Sequence, residues 1–329
     1  MVDRPRLALA IPTYKRAAVL ADNLAGMHED LQRLGIPVYV SDDSPDDEVQ
    51  RALLPFRDVH YRRNVPALGH DGNLPATLFW PQADYVWLLG DSRSIVKGQL
   101  DKILAFLQDQ DLLFVNSHSD NTQMISSRCG EAARELMREM LWHQTMTGTT
   151  IFHRRVCDWA SDQGESLTIK PDFPQLSIML GYAAKHRVCT GWFGEPSIHS
   201  NLTPSYWHSR TIPVFADHWA AVVEAFPDII PPKYQSRVIR SHSARMNLFR
   251  VTVLLDARLS GAFNWRKLRE RRFRDAMHLP LPILVAILFI PRFLVVQMKR
   301  AEEELRRRGI SNKSSLRDVV NSLRKAFSR

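Results

Sequence analysis

The chain has 329 residues, 45% of them hydrophobic and 24% charged; these are globular values and exclude a disordered or fibrous protein. The net charge of +9 is uneven: residues 233–329 hold 23 Lys/Arg against 7 Asp/Glu, which leaves 21 against 28 in the first 232. An acidic body with a basic tail points to an anionic partner for the tail, either nucleic acid or lipid headgroups. The three cysteines, Cys129, Cys157 and Cys189, are odd in number and far apart, so they suggest neither a disulfide framework nor a metal site and fit a reducing cytosol. No signal peptide is expected, since the apolar run 7–12 is too short for one.

The first 115 residues alternate strand and helix patterns. Strands are predicted at 7–11, 38–40, 59–62, 85–89 and 112–116. Helices are predicted at 17–34, 46–54, 72–79 and 97–108. In the first helix Leu20, Leu24, Met27, Leu31 and Leu34 share one face; in the third, Pro75 limits where the helix starts. Strands separated by helices imply a largely parallel sheet with right-handed crossovers. Beyond it come a helix (130–142), a small-residue loop (145–150), a strand (151–153), a helix (173–185) and a strand (187–191). The stretch 205–250 is aromatic and basic and resists assignment.

The segment 279–298 (LPLPILVAILFIPRFLVVQM) is strongly apolar but interrupted by Pro280, Pro282, Pro291 and Arg292. A spanning helix needs about 20 mostly apolar residues. The unbroken piece is nearer an interfacial segment, and it lies between basic flanks (Arg266 to Arg274, then Lys299, Arg300 and Arg306 to Arg308). This pattern suits contact with an anionic membrane surface. The bland alternative is a buried helix followed by a solvated charged one.

Three apolar runs break into polar residues where a parallel sheet binds ligands, at the carboxyl ends of its strands. The first ends in Pro12-Thr13-Tyr14, followed by Lys15 and Arg16. The second ends in Ser41-Asp42-Asp43-Ser44, where a carboxylate accepts from a base or ribose, or simply forms a turn. The third, Asp84 to Arg93, ends in Asp91-Ser92-Arg93. A guanidinium pairs with phosphate through bidentate, charge-assisted bonds; its bland role is a surface salt bridge to Asp91.

Ile11 to Arg16, Val40 to Ser44, Asp71-Gly72-Asn73-Leu74 and Tyr85 to Asp91 occur in the order and spacing of family 2 glycosyltransferases. The chain resembles most the abequosyltransferase-type branch of bacterial surface-polysaccharide enzymes, clearly over residues 6–115. The resemblance implies an α/β GT-A fold, Rossmann-like, with a mostly parallel sheet flanked by helices; the apolar segment and its basic flanks add the expectation of a mostly helical, basic, membrane-associating C-terminal extension. The expected regions are a nucleotide-sugar half (1–115), an acceptor half (116–230) and the basic region (231–329).

The resemblance implies further that Asp43 contacts the base and that Asp91 and Ser92 lie at the ribose; from their places after the strands, Pro12, Thr13, Tyr14, Arg16, Asp42, Asp71 and Asn73 are expected around the nucleotide sugar, Arg16 being equally a surface residue and Asp71 equally a helix cap. Gly148 and Thr149 resemble the loop lining the acceptor side. Family members place the general base before a helix of the acceptor half, which maps best to Asp172. Glu131, Asp158, Glu195 and His199 are weaker matches, and Asp172 is equally a helix cap.

In the family, the third residue of the Asp91-Ser92-Arg93 triplet is a metal-binding carboxylate. Arg93 stands there instead, so a divalent cation (Mn or Mg) on Asp91 is a weakened expectation. Arg93 would take over part of its work on the leaving diphosphate; the alternatives are a metal held by Asp91 in altered geometry and a weakened or inactive transferase.

The leading expectation is an inverting transferase that moves a sugar from a nucleotide-diphosphate donor to a lipid-linked glycan for O-antigen, capsule or exopolysaccharide, at the inner face of the cell membrane. No nucleic-acid partner is expected. The competing readings are a basic nucleic-acid-binding protein using Trp207, Trp219, Tyr234 and Trp265, and a nucleotidyltransferase.

Overall fold

The computed structural model describes residues 4–201, 207 and 210–307, with backbone alone at 298 and 301–307. The chain divides into two compact units, residues 1–242 and 243–329.

The first unit is built on an eight-stranded sheet. Its strands are β1 (Leu7–Thr13), β2 (Val38–Asp42), β3 (Val59–Arg63), β4 (Tyr85–Leu88), β6 (Leu112–Val115), β7 (Ile125–Cys129), β8 (Thr150–His153) and β9 (Cys189–Phe193), in the order β3-β2-β1-β4-β8-β6-β9-β7. A short β5 (Arg93–Ile95) leaves this sheet and pairs antiparallel with β10 (Ile198–Ser200). The expected parallel arrangement holds for β3, β2, β1 and β4 and for the β6–β9 pair. It is reversed at β8, which runs antiparallel to β4 and β6, and at β7 on the edge.

β1 is buried along its whole length, as expected of a strand covered on both faces. Helix α1 (Ala17–Arg33) lays Leu20, Leu24, Met27 and Leu31 on the sheet, with Leu34 half-buried just beyond its end. α2 (Glu48–Ala52), α3 (Gly69–Phe79), α4 (Gln99–Phe106), α5 (Glu131–Gln144), α6 (Arg154–Gln163), α7 (Pro174–Lys185), α8 (Trp219–Ala225) and α9 (Pro232–Arg245) complete the helices that begin in this unit. Pro75 does not open α3 but sits inside it, six residues after Gly69. β5 and β7 are short and largely polar, and the sequence reading missed them; it also missed α6, although Val156, Cys157 and Ala160 form a buried helical face there.

The cysteine expectation is corrected. The β7–β9 register sets Cys129 opposite Cys189, and the two are bonded across 60 residues of chain, while Cys157 is free and buried. Strand register, not sequence spacing, creates that pair.

The second unit has its own core. Phe249, Phe263 and Phe273 are fully buried, and Phe273 stacks on Phe263 at 5.3 Å. Around them run α10 (Val251–Leu259), α11 (Trp265–Arg269), α12 (Arg271–Ala276), α13 (Leu281–Phe289) and α14 (Arg292–Arg307). The apolar segment 279–298 is thus two helices broken at Ile290 and Pro291. No helix among the described residues is long and apolar enough to cross a membrane.

Candidate functional site

The parallel order β2-β1-β4 brings three carboxyl ends side by side, and with them Thr13, Asp42 and Asp43, and Asp91. The β1–α1 turn is tight: Lys15 adopts a left-handed φ of 53° and its N–H donates to Ser44 Oγ at 2.8 Å. This conformation costs a non-glycine residue roughly 1–2 kcal/mol, and it binds the first and second motifs together.

The two adjacent acids of the second motif divide their work. Asp42 is fully buried, with Oδ1 accepting from Ser44 N (2.8 Å) and Oδ2 from Tyr61 Oη (3.0 Å). It braces the turn. Asp43 Oδ1 accepts from Asn64 Nδ2 (2.7 Å) and Leu68 N (3.2 Å), while its Oδ2 takes no hydrogen bond among the described residues. One oxygen is fixed and the other is left for a ligand. Asn73 supports this arrangement: it accepts from Asn64 Nδ2 (3.1 Å) and donates to Ser41 O (3.1 Å). Pro12 is buried within β1, whereas the Tyr14 ring is exposed at the edge.

Asp91 is held from three sides. Thr13 Oγ1 donates to Oδ2 (3.0 Å), Arg16 Nη1 lies 3.4 Å from Oδ1, and Asn23 Nδ2 donates to the backbone carbonyl (2.7 Å). Burial raises the Asp91 carboxyl above the usual range, against the opposing effects of Arg16, Thr13 and the N–H groups of Tyr14 and Ser92. The cation paired with Asp91 is therefore Arg16, not Arg93.

Arg93 makes no side-chain hydrogen bond or ion pair among the described residues. Its backbone is fixed in β5, opposite Ser200. Its stem passes two glycines: a Cβ on Gly90 would lie 3.5 Å from Arg93 Cγ, and one on Gly148 3.8 Å. Gly148 has φ +116°, and its carbonyl accepts from Trp87 Nε1 at 2.6 Å. Burial lowers the Arg93 guanidinium, with no acid to offset it. Its positive charge helps hold two histidines neutral. In His118 it acts after burial, and in His143, driven down to about 3, after burial and His118. An unpaired, partly buried guanidinium costs free energy unless an anion meets it.

The 145–150 loop lies between this edge and α7. Thr149 is buried and its hydroxyl donates to Met146 O (2.8 Å) and His143 O (3.1 Å), so it shapes the loop from within. Leu88, Met146, Thr147, Gly148, Thr150, Phe152 and Gln175 line a recess there. The buried Gln175 Oε1 takes no hydrogen bond among the described residues.

Asp172 lies two residues before α7. Phe173, not Asp172, is the residue capping that helix, and it makes no side-chain cap. The carboxylate is 7% exposed and faces two partners: His218 Nδ1 at 2.5 Å from Oδ2 and Arg210 Nη1 at 3.5 Å from Oδ1. Asp172 also adopts a left-handed φ of 64°, a strain that clusters at functional positions. Its N–H donates to Asp71 Oδ1 (3.0 Å), which also lies 2.9 Å from His70 Nδ1. Asp71 therefore links α3 to the segment before α7.

The other acids considered as bases are engaged elsewhere: Glu131 with Arg138, Asp158 with Arg154, and Glu195 with Lys102 and Gln99. His199 is exposed on β10. Asn23, Asn64, Arg210 and His218 are contributors that the sequence reading missed. They carry no local motif and meet their partners over 21 to 68 residues of chain.

The donor set for a protein-held Mn or Mg ion is thin. Such an ion rests on one or two carboxylates plus substrate phosphates. Here Asp91 already faces Arg16, and no group of three His, Cys, Asp or Glu among the described residues could hold a metal.

Two comparisons with known proteins bear on this geometry. Residues 1–349 of S. aureus TarS, in a crystal structure, superpose with a TM-score of 0.54 at 13% identity, covering 86% of this chain and 81% of that one. A longer S. aureus TarS structure gives 0.52 at 12% identity, over 83% of this chain and 50% of that one. The fold is GT-A.

No family model matches the sequence. Among curated proteins, abequosyltransferase RfbV of Salmonella typhimurium LT2 is 27% identical over 110 residues, 32% of this chain. The match spans only a third of that relative's length. The sequence resemblance to abequosyltransferase-type enzymes thus holds, and it supports a glycosyltransferase.

Proposed function

We propose that the first unit transfers a sugar from a nucleoside-diphosphate donor to a glycan hydroxyl with inversion. The observation that carries this is Arg93, a guanidinium with no partner among the described residues, its stem beside two glycines, two strand ends over from Asp43. Asp43 Oδ2 accepts from the base or ribose. Asp91, steadied by Thr13 and Arg16, faces the ribose side. Arg93 meets the charge that develops on the leaving diphosphate, where a fixed donor is most effective. On the opposite side the Asp172–His218 pair takes the proton of the attacking hydroxyl.

The test is a thermal-shift panel of UDP, GDP, CDP and dTDP, each with and without Mn²⁺. A nucleotide at a hundred times its Kd adds about 2.7 kcal/mol of stability. One nucleotide should shift the midpoint equally in EDTA and in Mn²⁺. Silence from all four removes the donor assignment, and a shift seen only with Mn²⁺ removes the role given to Arg93.

A lipid-linked acceptor is supported by the second unit. In α13, Leu284, Ile287 and Leu288 face the core, while Leu281, Ile283 and Phe289 are exposed. Phe289 is 72% exposed and packs edge-on against Trp265, itself 46% exposed, at 5.3 Å. Exposed Arg266, Arg269, Arg271 and Arg272 follow directly in the chain. Apolar side chains beside cations suit an anionic leaflet, at about 1 kcal/mol per basic residue near the surface. The nucleic-acid reading loses part of its aromatic surface, because Trp219 is fully buried and Trp207 packs on Phe215. Vesicles containing phosphatidylglycerol should bind the protein and bind Phe289→Ser/Trp265→Ser more weakly; equal binding removes the membrane role.

A further inference from the structure

We infer that the group accepting the proton is Nε2 of His218, with Asp172 as its positioning carboxylate. This rests on the sugar-transfer reading and assigns the proton within it. The family pattern alone pointed to the carboxylate.

The geometry favours the ring. The Asp172 carboxylate is 7% exposed, with Arg210 at one oxygen and the His218 ring at the other. An oxygen held this way has little access to an incoming hydroxyl. The His218 side chain is 30% exposed, with Nδ1 at 2.5 Å from Asp172 Oδ2. Its Nε2 takes no hydrogen bond among the described residues. A carboxylate on one ring nitrogen fixes the tautomer, places the proton on Nδ1 and leaves the Nε2 lone pair outward. Imidazole is also the side chain suited to take and release a proton near neutral pH.

The ring is firmly mounted. His218 ends the π-helical turn Pro213–His218, a backbone form frequent at functional sites. The next residue, Trp219, is fully buried and donates from Nε1 to Ile239 O at 3.2 Å. Asp172 is fixed through its N–H to Asp71.

The step balances. The acceptor O–H bond breaks and its proton goes to Nε2. The oxygen electron pair forms the new bond to the anomeric carbon. The bond from that carbon to the diphosphate oxygen breaks, and its electron pair leaves with the nucleoside diphosphate. The imidazolium then returns its proton to water.

Chemical rescue of the full chain tests the assignment, read as nucleoside-diphosphate release from UDP-glucose, GDP-mannose, CDP-glucose or dTDP-rhamnose, whichever the wild type turns over. His218→Ala should lose about 10²–10⁴ in kcat, keep the wild-type nucleoside-diphosphate Kd, and recover at least tenfold with added imidazole. Asp172→Ala should not recover with formate. His218→Gln, which keeps the ring's volume more closely, covers the case in which His218→Ala fails to fold; it should lose kcat to a similar extent with an unchanged Kd. Three results would overturn the assignment: His218→Ala keeping more than a third of kcat, loss without imidazole rescue in a folded protein, or Asp172→Ala rescued by formate. A His218 variant with lost nucleoside-diphosphate affinity would make the ring a diphosphate contact instead, and also overturn it. A wild type inert towards all four donors overturns the sugar-transfer reading itself, and this inference with it.

Discussion

The two sides of the proposed site in the first unit, a nucleotide edge and an acceptor side, are built differently. The nucleotide edge is assembled from short segments at the ends of adjacent parallel strands, so each contributing residue sits just past an apolar run. The acceptor side is assembled from one residue before α7 and two from the 210–218 stretch, 38 and 46 residues further along. The first arrangement is inherited from sheet topology. The second depends on tertiary docking. The nucleotide edge should therefore tolerate loss of a single side chain without unfolding, whereas the acceptor side should respond to changes in packing.

Replacement of Arg93 is the strongest way to break that contrast. Arg93→Ala should lower kcat by about 10²–10³, the usual effect of removing one fixed donor to a developing anion, with little change in stability. Arg93→Lys should recover only part, because an ammonium lacks the planar fork. Steady-state kinetics and a melt check both, and an Arg93→Ala protein with wild-type kcat would end the role given to this guanidinium.

The neighbouring acids of the second motif should separate binding from folding. Asp43→Asn, which keeps an acceptor oxygen for Asn64 Nδ2 and Leu68 N, should weaken nucleotide binding by roughly 10- to 150-fold, the worth of a hydrogen bond to a charged group, at nearly wild-type stability. Asp42→Ala should do the opposite: it strands Tyr61 Oη and Ser44 N and costs about 1–3 kcal/mol. Calorimetric titration and urea melts check the pair, and equal effects on both readouts would erase the distinction.

Acid sharpens the contrast further. His143, on the Arg93 side, and His242, packed on Phe215 and Trp219, are both buried and both lowered from 6.5 to about 3. Between those limits the unfolded chain binds protons that the folded one refuses. Stability should therefore be intact above about pH 6.5 and fall as pH drops towards 3, by about 1.4 kcal/mol per pH unit for each histidine. His143→Gln and His242→Gln should each remove half of that slope if the unit unfolds as one body. Urea melts at intervals from pH 7 to 4 measure it; unequal effects would mean that the two sides open separately.

The smallest effect is expected at the loop between the sides. Gly148→Ala places a Cβ 3.2 Å from Leu89 Cδ1 at φ +116°, which should cost about 1–3 kcal/mol. A matching loss of kcat would tie the loop to the Arg93 stem, and an unchanged kcat would separate them.

The gathering of Thr13, Asp43 and Asp91 at adjacent strand ends was legible in the sequence because strand and motif are contiguous: each follows a run of apolar residues. The role of Arg16 on Asp91 was not, since the sequence offers Arg93 as the nearer partner and only the β1–α1 turn decides between them. Asp42 and Asp43 look alike in the chain, and Tyr61 on the neighbouring strand tells them apart. His218 gave no signal at all. It lies in a stretch with neither helical nor alternating periodicity, and its partner is reached only when α7 and the 213–218 turn come together. Cys129 and Cys189 were likewise hidden, because register across β7 and β9 is a property of the finished sheet.

That bond has a consequence for handling the protein. Residues 130–188, which include α5, β8, α6, α7 and Asp172, form a covalently closed ring. A protease that nicks the ring once leaves a molecule of full mass on a non-reducing gel, and two pieces appear only after thiol treatment. Clipped material would thus pass for intact protein unless it were examined with the thiols reduced.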